Sequence, residues 1–385
     1  MTSRTRKSVR RSIRRNAVPA AVLTAVLTGM AAGQSLADTP AADGTGGTAT
    51  TPVTLSAATS APDSPHTAIP GFLLERGRYL GFDVPDATVG TSPLGINSRG
   101  DVVGKYNAGT TGSGPGANEH GFVRDRGGRY TRIDLPGVRA TTPFKMNDYG
   151  HIVGAYSLTT GRVGDDDRRR GFLLRGGQFI RLDVPGAMYT QAHAINNRDQ
   201  VVGEYQDATG AFRAFLWEKG TFTTLDVPGS VGATAIDIDD HGRILGGRID
   251  STGTIHGFLL QRGRYTSFDA LGQENTLPLG MNDDGAIVGI AFADPATPPR
   301  YGFRAASVTG PFTELNFPGS PGTSPTDINN RGQIVGSYAR VADAAPPAST
   351  TRSSSAHSSI GQSSAAQSTI SQRSAGASST PVRAE

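Results

Sequence analysis

The sequence predicts an all-β fold, and three observations support this prediction. A unit of 43–50 residues recurs six times between residues 71 and 340. Each unit contains short segments in which apolar and polar residues alternate, as they do in half-buried strands. Gly and Pro separate these segments, and none has the apolar spacing of a helix. Six units of this length, each with four short strands, indicate a six-bladed β-propeller of four-stranded antiparallel blades. An open β-solenoid is the alternative.

Each unit opens with a Phe that follows Gly or Ala. The repeats start near residues 71, 121, 171, 214, 257 and 302, and the phenylalanines are Phe72, Phe122, Phe172, Phe215, Phe258 and Phe303. A second aromatic follows about seven residues later in the same hairpin, and a second hairpin of the type PLGIN…DVVGKY completes the unit. Because the aromatics recur in every copy and alternate with polar residues, we expect them to form the core.

The most regular motif is the stretch GINSRGDVVGKY at 95–106, which has five near-copies. The copy beginning at Asp237 starts like a calcium-binding loop, but His241 takes the third ligand position and no Glu stands at the twelfth. Asn or Asp followed three residues later by Gly is also typical of a tight turn. The third copy has Asp199 in place of this Gly, and Asp tolerates left-handed geometry. The pattern therefore favours a hairpin turn, and we predict no metal and no cofactor.

An acid or amide ends the first hairpin of each unit. These residues are Asp83, Asp134, Asp183, Asp226, Asp269 and Asn316. Such a ring could bind a cation if it faced a central channel. The position before a Pro-containing turn favours a different role, in which each side chain accepts backbone N–H bonds.

The flanking segments are predicted to lie outside the propeller, which we place at 66–342. Residues 1–37 combine a basic start, an apolar stretch and the small residues of a cleavage site, as in a secretion signal. Residues 38–65 have linker composition, and residues 343–385 form a Ser-rich tail without hydrophobic periodicity. Neither segment can bury enough apolar surface to order, so we expect disorder in both.

Removal of the signal changes the charge of the protein. The full chain carries a net charge of +4, but without the seven basic residues of the signal 30 basic and 33 acidic residues remain. This balance argues against nucleic acid as a partner. The chain has no cysteine, and after the signal it contains no apolar run long enough to span a membrane. We expect a secreted monomer, in the extracellular space or associated with the cell wall.

The repeats resemble the HAF-type repeats of bacterial extracellular proteins. The segment Ala214-Phe215-Leu216-Trp217 is similar to the start of that repeat, with Arg213 where the pattern has His. The resemblance covers about 71–340, and it implies an extracellular repeat protein. It implies no reaction, and no catalytic residue can be transferred from it.

The segments that break the repeat are the candidates for function, since loops on rigid scaffolds carry binding sites. The loops 107–120, 157–170 and 292–301 differ most, and the second contains the charged run Asp165, Asp166, Asp167, Arg168, Arg169 and Arg170. We predict a non-enzymatic protein that binds a protein or cell-surface glycan through such loops on one face. The alternative is a polysaccharide lyase or hydrolase at the channel mouth. Glu204 and Glu274 are then the first candidates for the acid pair that glycoside hydrolysis requires.

Overall fold

The computed structural model describes residues 67–108, 119–158, 169–294 and 300–340, together with the backbone of a strand at 54–57. The predicted signal at 1–37, the rest of the predicted linker and the tail at 343–385 lie outside the described residues. Loop residues 109–118 and 159–168 also lie outside them.

The described residues form 25 strands in six antiparallel sheets. Blade 1 contains β1 (Thr54–Ala57), β4 (Thr91–Ile96), β5 (Val102–Asn107), β6 (Glu119–Arg124) and β7 (Tyr130–Asp134). Blade 2 contains β8 (Val138–Met146), β9 (Ile152–Leu158), β10 (Arg169–Arg175) and β11 (Gln178–Leu182). Blade 3 contains β12 (Tyr189–Ile195), β13 (Val201–Gln206), β14 (Phe212–Glu218) and β15 (Thr221–Leu225).

The remaining three sheets follow the same plan. Blade 4 contains β16 (Gly232–Ile238), β17 (Ile244–Ile249), β18 (Ile255–Gln261) and β19 (Arg264–Phe268). Blade 5 contains β20 (Asn275–Met281), β21 (Ile287–Phe292), β22 (Arg300–Ala305) and β23 (Thr313–Glu314). Blade 6 contains β24 (Thr323–Ile328), β25 (Ile334–Tyr338), β2 (Gly71–Glu75) and β3 (Arg78–Phe82).

The six sheets close into a ring, which confirms the six-bladed propeller and excludes the open solenoid. The innermost strands β4, β8, β12, β16, β20 and β24 each contact the next, and β24 contacts β4. The short hairpins between the inner and second strands all lie on one side of the ring, which we call the turn face. The connections between the second and third strands lie on the opposite side, which we call the loop face.

The blades are out of phase with the sequence repeats, so a repeat does not form one blade. A blade takes its inner two strands from one repeat and its outer two from the next. Blade 6 therefore combines the last hairpin of the propeller with the first, and Phe72 of β2 stands opposite Gly336 of β25. Strand β1, within the segment predicted as a linker, pairs with β7 at the outer edge of blade 1.

The core lies between neighbouring blades and explains why Phe and Gly recur together. The six repeated phenylalanines are at most 1% exposed. Each is the cross-strand partner of the Gly that follows two aliphatic residues in the second strand of its blade, as in Val102-Val103-Gly104. A Cβ added to Gly154 would lie 2.6 Å from the ring of Phe172. The Gly therefore makes room for the ring. Among the described residues, no helix has the length and apolarity needed to cross a membrane.

Candidate functional site

The repeated Asn-x-x-Gly motif forms the hairpins of the turn face, which confirms the turn interpretation. We call these hairpins the inner turns: residues 97–101, 147–151, 196–200, 239–243, 282–286 and 329–333. In the first, Asn97 Oδ1 accepts the backbone N–H groups of Arg99 and Asp101, each at 3.0 Å. Gly100 takes a left-handed φ of 91°. Asp199 takes the same region with φ 57°, so the third copy keeps the turn without Gly.

The first side chain of each inner turn also joins its blade to the next. Asn97 Nδ2 donates to the carbonyl of Asn147 at 3.4 Å, and Asn147 Nδ2 donates to the carbonyl of Asn196 at 3.1 Å. The same bond is repeated around the ring and ends where Asn329 Nδ2 donates to the carbonyl of Asn97 at 2.9 Å. In blade 4 Asp239 cannot donate, and the guanidinium of Arg243 reaches the carbonyls of blade 5 instead. The amide is therefore repeated because it links blades as well as shaping the turn.

The second residue of each inner turn forms another circle of bonds. These residues are Ser98, Asp148, Asn197, Asp240, Asp283 and Asn330. The backbone N–H of Ser98 donates to Asp148 Oδ1 at 2.7 Å, and the N–H of Asp148 donates to Asn197 Oδ1 at 2.8 Å. The equivalent bonds continue as far as Asn330. A cavity of about 80 Å³ lies inside these two circles, at the turn-face mouth of the channel.

The fourth and fifth inner turns contain the described residues that come nearest to a metal site. Ligand atoms of Asp239, His241 and Asp283 lie within 4.8 Å of one another. Asp239 is already engaged, because its Oδ1 accepts two backbone N–H groups of its own turn and its Oδ2 pairs with Arg243. Asp283 Oδ1 likewise accepts the N–H of Asp240. The carboxylates therefore have structural roles in the turn and between blades.

A β-bulge in every inner strand directs side chains into the channel. The bulged residues are Leu94, Phe144, His193, Ile236, Leu279 and Thr326. They line a second cavity of about 40 Å³ deeper in the channel. A bulge re-aims the side chain of the extra residue, and in four strands the residue before it is Pro. The sequence contained this Pro signal, but it was not recognised as a bulge.

An ion triad fills the channel between the bulged residues and the inner turns. Lys145 Nζ lies 2.7 Å from Asp237 Oδ2 and 2.6 Å from Asp327 Oδ1, and the three side chains are at most 9% exposed. They come from alternate blades, and the same repeat position holds Gly95, Ala194 and Gly280 in the others. The small residues leave space, since a Cβ on Gly280 would lie 2.7 Å from Asp327.

The triad also binds the backbones of two further blades. Asp237 Oδ2 accepts the N–H of Met281 at 2.6 Å, and Asp327 Oδ2 accepts the N–H of Ile96 at 2.8 Å. These bonds satisfy the remaining lone pairs of two carboxylates removed from water, which buried charges require. Three side chains thus connect five of the six inner strands.

Burial has opposite effects on the charged groups of the channel. Burial alone would lower the pKa of Lys145, but the carboxylates of Asp237 and Asp327 outweigh it and raise the pKa, so this lysine is charged. Burial and the neighbouring Asp237 raise the pKa of Asp327 above its usual range, against the effect of Lys145. Burial lowers the pKa of His193 to about 4, and the charge of Lys145 acts in the same direction. His193 is therefore neutral near pH 7.

The acids that end the first hairpins do not face the channel. They follow the outermost strands, and most of those with described contacts pair with side chains of their own blade: Asp134 with His120 and Arg132, Asp183 with Arg181, and Asp269 with His256. Asp83 accepts the backbone N–H of Thr67 at 2.8 Å, but this is not the local turn cap that the sequence favoured, since the N–H of Val84 in that turn donates to Thr91 Oγ1 instead. The central cation ring is thereby excluded.

Part of the predicted charged run is described. Asp165, Asp166, Asp167 and Arg168 lie outside the described residues, whereas Arg169 and Arg170 open β10 at the loop face. Arg169 donates to Thr142 Oγ1 at 3.0 Å and lies 3.9 Å from Glu119.

Glu119 begins β6 and belongs to a buried network between blades 1 and 2. It pairs with Lys105 at 2.8 Å and accepts a bond from Thr142. Its burial would raise its pKa, but Lys105 and Arg169 lower it to about 2. The network joins the strands that follow the two longest loop-face connections, although neither Glu119 nor Lys105 was predicted as a site residue.

The structure does not bring Glu204 and Glu274 together. Glu204 is fully buried in β13 of blade 3. Glu274 is exposed in the connection before β20 of blade 5, on the loop face. An acid pair for glycoside hydrolysis needs two carboxylates facing one sugar ring, and these two side chains do not form one.

Comparison with known proteins shows the fold and nothing finer. No family model and no curated protein matches the chain. A structure described as a candidate TolB from Agrobacterium tumefaciens has a TM-score of 0.52 at 10% identity, covering 72% of this chain and 100% of that one. AofleA from Arthrobotrys oligospora has a TM-score of 0.40 at 14% identity, covering 69% and 81%. The β-propeller domain of the Trilobed protease from Pyrococcus furiosus has a TM-score of 0.35 at 10% identity, covering 69% and 99%. The likeness to the TolB structure shows similarity of fold alone.

Proposed function

We propose that this chain is a secreted, non-enzymatic binding protein that holds a protein or cell-surface glycan on its loop face. The observation that carries the proposal is the unequal length of the second-to-third strand connections on a constant framework. They occupy 108–118 and 159–168 in blades 1 and 2, but only 207–211 and 250–254 in blades 3 and 4. Propellers of equal blades gain nothing structurally from two longer loops, whereas a binding surface does.

The described residues at the base of these loops support a joint role. Glu119 and Arg169 follow the two long connections directly, and the buried network around Glu119 fixes their positions relative to each other. A rigid base is what positions a loop for recognition. The resemblance to HAF-type repeats and the signal-like residues 1–37 support the extracellular location.

Loop exchange tests the proposal. Residues 108–118 and 159–168 are each replaced by the blade 3 connection DATGA, and binding is measured on a glycan array and on fractions of the bacterial envelope. We expect binding present in the unchanged chain to be lost. The matched control replaces DATGA at 207–211 by the blade 4 connection DSTGT and should bind normally. Unchanged binding of the double loop exchange to every glycan and fraction would show that another surface is used.

A further inference from the structure

The hairpins between the third and outer strands form the outer edge of the turn face, and every blade has an exposed cation there. We call them the rim turns: residues 76–77, 125–129, 176–177, 219–220, 262–263 and 306–312. The cations within or beside them are Arg76, Arg78, Arg126, Arg129, Arg175, Lys219, Arg262, Arg264 and Arg304, and all are exposed. Of these nine, only Arg129 and Arg175 lie within ion-pair distance of an acid in the described part of the chain. The remaining seven are available to a partner.

Three rim cations occupy a backbone conformation that their side chains disfavour. Arg76, Lys219 and Arg262 have φ values of 50°, 49° and 51°, where blade 2 uses Gly176. A left-handed conformation is disfavoured for a residue with a Cβ, and the two-residue turn that requires it prefers Asn, Asp or Gly. Turn chemistry therefore does not explain a cation at the same place in three blades. Strain kept at an exposed position points to a function of the side chain.

The arrangement of charge on the turn face limits what can bind there. The rim turns carry nine cations against four acids, Glu75, Asp125, Glu218 and Glu314, whereas the central mouth carries the carboxylates of Asp148, Asp240 and Asp283. A flat anionic membrane laid on this face would meet the acidic mouth as well as the rim. Duplex DNA is stiff over about 50 nm and cannot bend around a ring of this size without large cost. A flexible anionic chain can pass from one rim turn to the next and avoid the centre.

We propose that the rim turns bind an anionic polysaccharide, one whose sugar units carry carboxylates. Guanidinium groups pair with carboxylates through two parallel hydrogen bonds, which favours Arg over Lys at such contacts, and all but one of the rim cations are Arg. This surface is opposite the loop face and goes beyond the function proposed above. It allows the protein to be held by an anionic polymer while the loop face remains open to its own ligand.

The test measures binding of the full chain to immobilised polygalacturonate, with neutral dextran as the reference surface. In the variant R76N/K219N/R262N three charges are removed, but Asn adopts the left-handed turn more readily than Arg or Lys. We expect affinity at about 50 mM NaCl to fall about tenfold, with a weaker salt dependence than that of the unchanged chain. The melting temperature should not fall. The control R181Q/R213Q/R248Q removes three charges from the loop-face half of the blades and should bind normally.

Three results would overturn the proposal. The first is equal affinity of the unchanged chain and R76N/K219N/R262N for polygalacturonate, or no binding by either at low salt. The second is tighter binding to duplex DNA than to polygalacturonate, and the third is tighter binding to phosphatidylglycerol vesicles. The double loop exchange described above should keep its affinity for polygalacturonate. Failure of the loop-face function and failure of the rim are therefore distinguishable.

Discussion

The turn face carries two rings of hairpins, the inner turns and the rim turns. Both reverse the chain between two strands, but different constraints determine their sequences. The first side chain of each inner turn is buried and binds its own turn, and in five of the six turns it also donates to the next blade. The rim turns are exposed, and cations occupy positions that turn chemistry would assign to Asn or Gly. Where a turn must fit its neighbour the residues recur in every copy. Where it does not, the residues are free to be selected for a partner.

The largest expected effect on stability comes from the ion triad in the channel, beside the inner turns. Replacing Lys145 by Met leaves Asp237 and Asp327 buried without their counter-charge. Removing one partner of a buried ionic group costs about 3–5 kcal/mol, so we expect K145M to lower the free energy of unfolding by this amount in urea titrations. The variant K145M/D237N/D327N keeps the acceptors of the backbone bonds without charge and should recover most of the loss. A K145M protein as stable as the original would show that the triad adds nothing to ring closure.

Acid should weaken the channel through His193. Its pKa is about 4 in the folded protein and about 6.5 in an unfolded chain. As the pH falls from 6.5 towards 4 the unfolded chain binds a proton that the folded protein does not, so stability present above pH 6.5 is lost, by up to about 3 kcal/mol. The raised pKa of Asp327 acts in the opposite direction, since stability is lost as the pH rises. The difference between the original chain and H193Q, measured from pH 7 to pH 4, isolates His193 and should shrink on acidification.

A single inner turn tests the double role of its amide. Asn329 Oδ1 accepts two N–H groups of its own turn, and Nδ2 donates to the carbonyl of Asn97 in blade 1 and to Gln333 Oε1. N329A loses all four bonds and should cost about 2 kcal/mol, whereas N329D keeps the two turn bonds and loses the two donated bonds, for about 1 kcal/mol. An N329D protein as stable in thermal unfolding as the original chain would show that the donated bonds, including the one between blades, add nothing, whereas equal losses for both variants would show that the turn bonds add nothing.

The smallest expected effect on stability comes from a comparison of one rim turn with one inner turn. K219N places a residue suited to the left-handed turn into the rim and should stabilise the protein by up to about 1 kcal/mol. G332K makes the reverse change in an inner turn, where φ is 72° and no atom lies within 4 Å of the added Cβ. It should destabilise by about 1 kcal/mol through backbone strain alone. If both variants changed the stability in the same direction, backbone strain would not distinguish the rim turns from the inner turns.

The sequence was sufficient to predict the strands, the turns and the packing of Phe72 and its equivalents, because each recurs with a fixed spacing. It could not assign hairpins to blades, since a periodic pattern looks the same wherever it is divided. The pairing of Phe122 with Gly104 of the preceding repeat, and of Phe72 with Gly336 of the last repeat, decides this. The channel triad had a signal that was missed. Lys145, Asp237 and Asp327 share one repeat position in alternate copies, where the other copies have Gly or Ala.

The candidate site was harder to predict for a physical reason. Loops and charged side chains do not recur with the repeat, so their position in one repeat does not predict their position in another. Glu204 appeared exceptional at its repeat position, but the fold buries it inside blade 3. The sequence predicted the rim turns as turns but did not single out their cations. The left-handed backbone at Arg76, Lys219 and Arg262 is not evident from composition.

Blade 6 has a consequence for the order in which the protein can fold. Strand β2 leaves the ribosome long before its partner β25, which ends at Tyr338. Until that segment has been synthesised, the inner edge of the first hairpin exposes unpaired N–H and C=O groups, which are a template for aggregation. A chain truncated before Ile334 lacks β25, which is both the last strand of the propeller and the pairing partner of β2. We therefore expect such a chain not to fold.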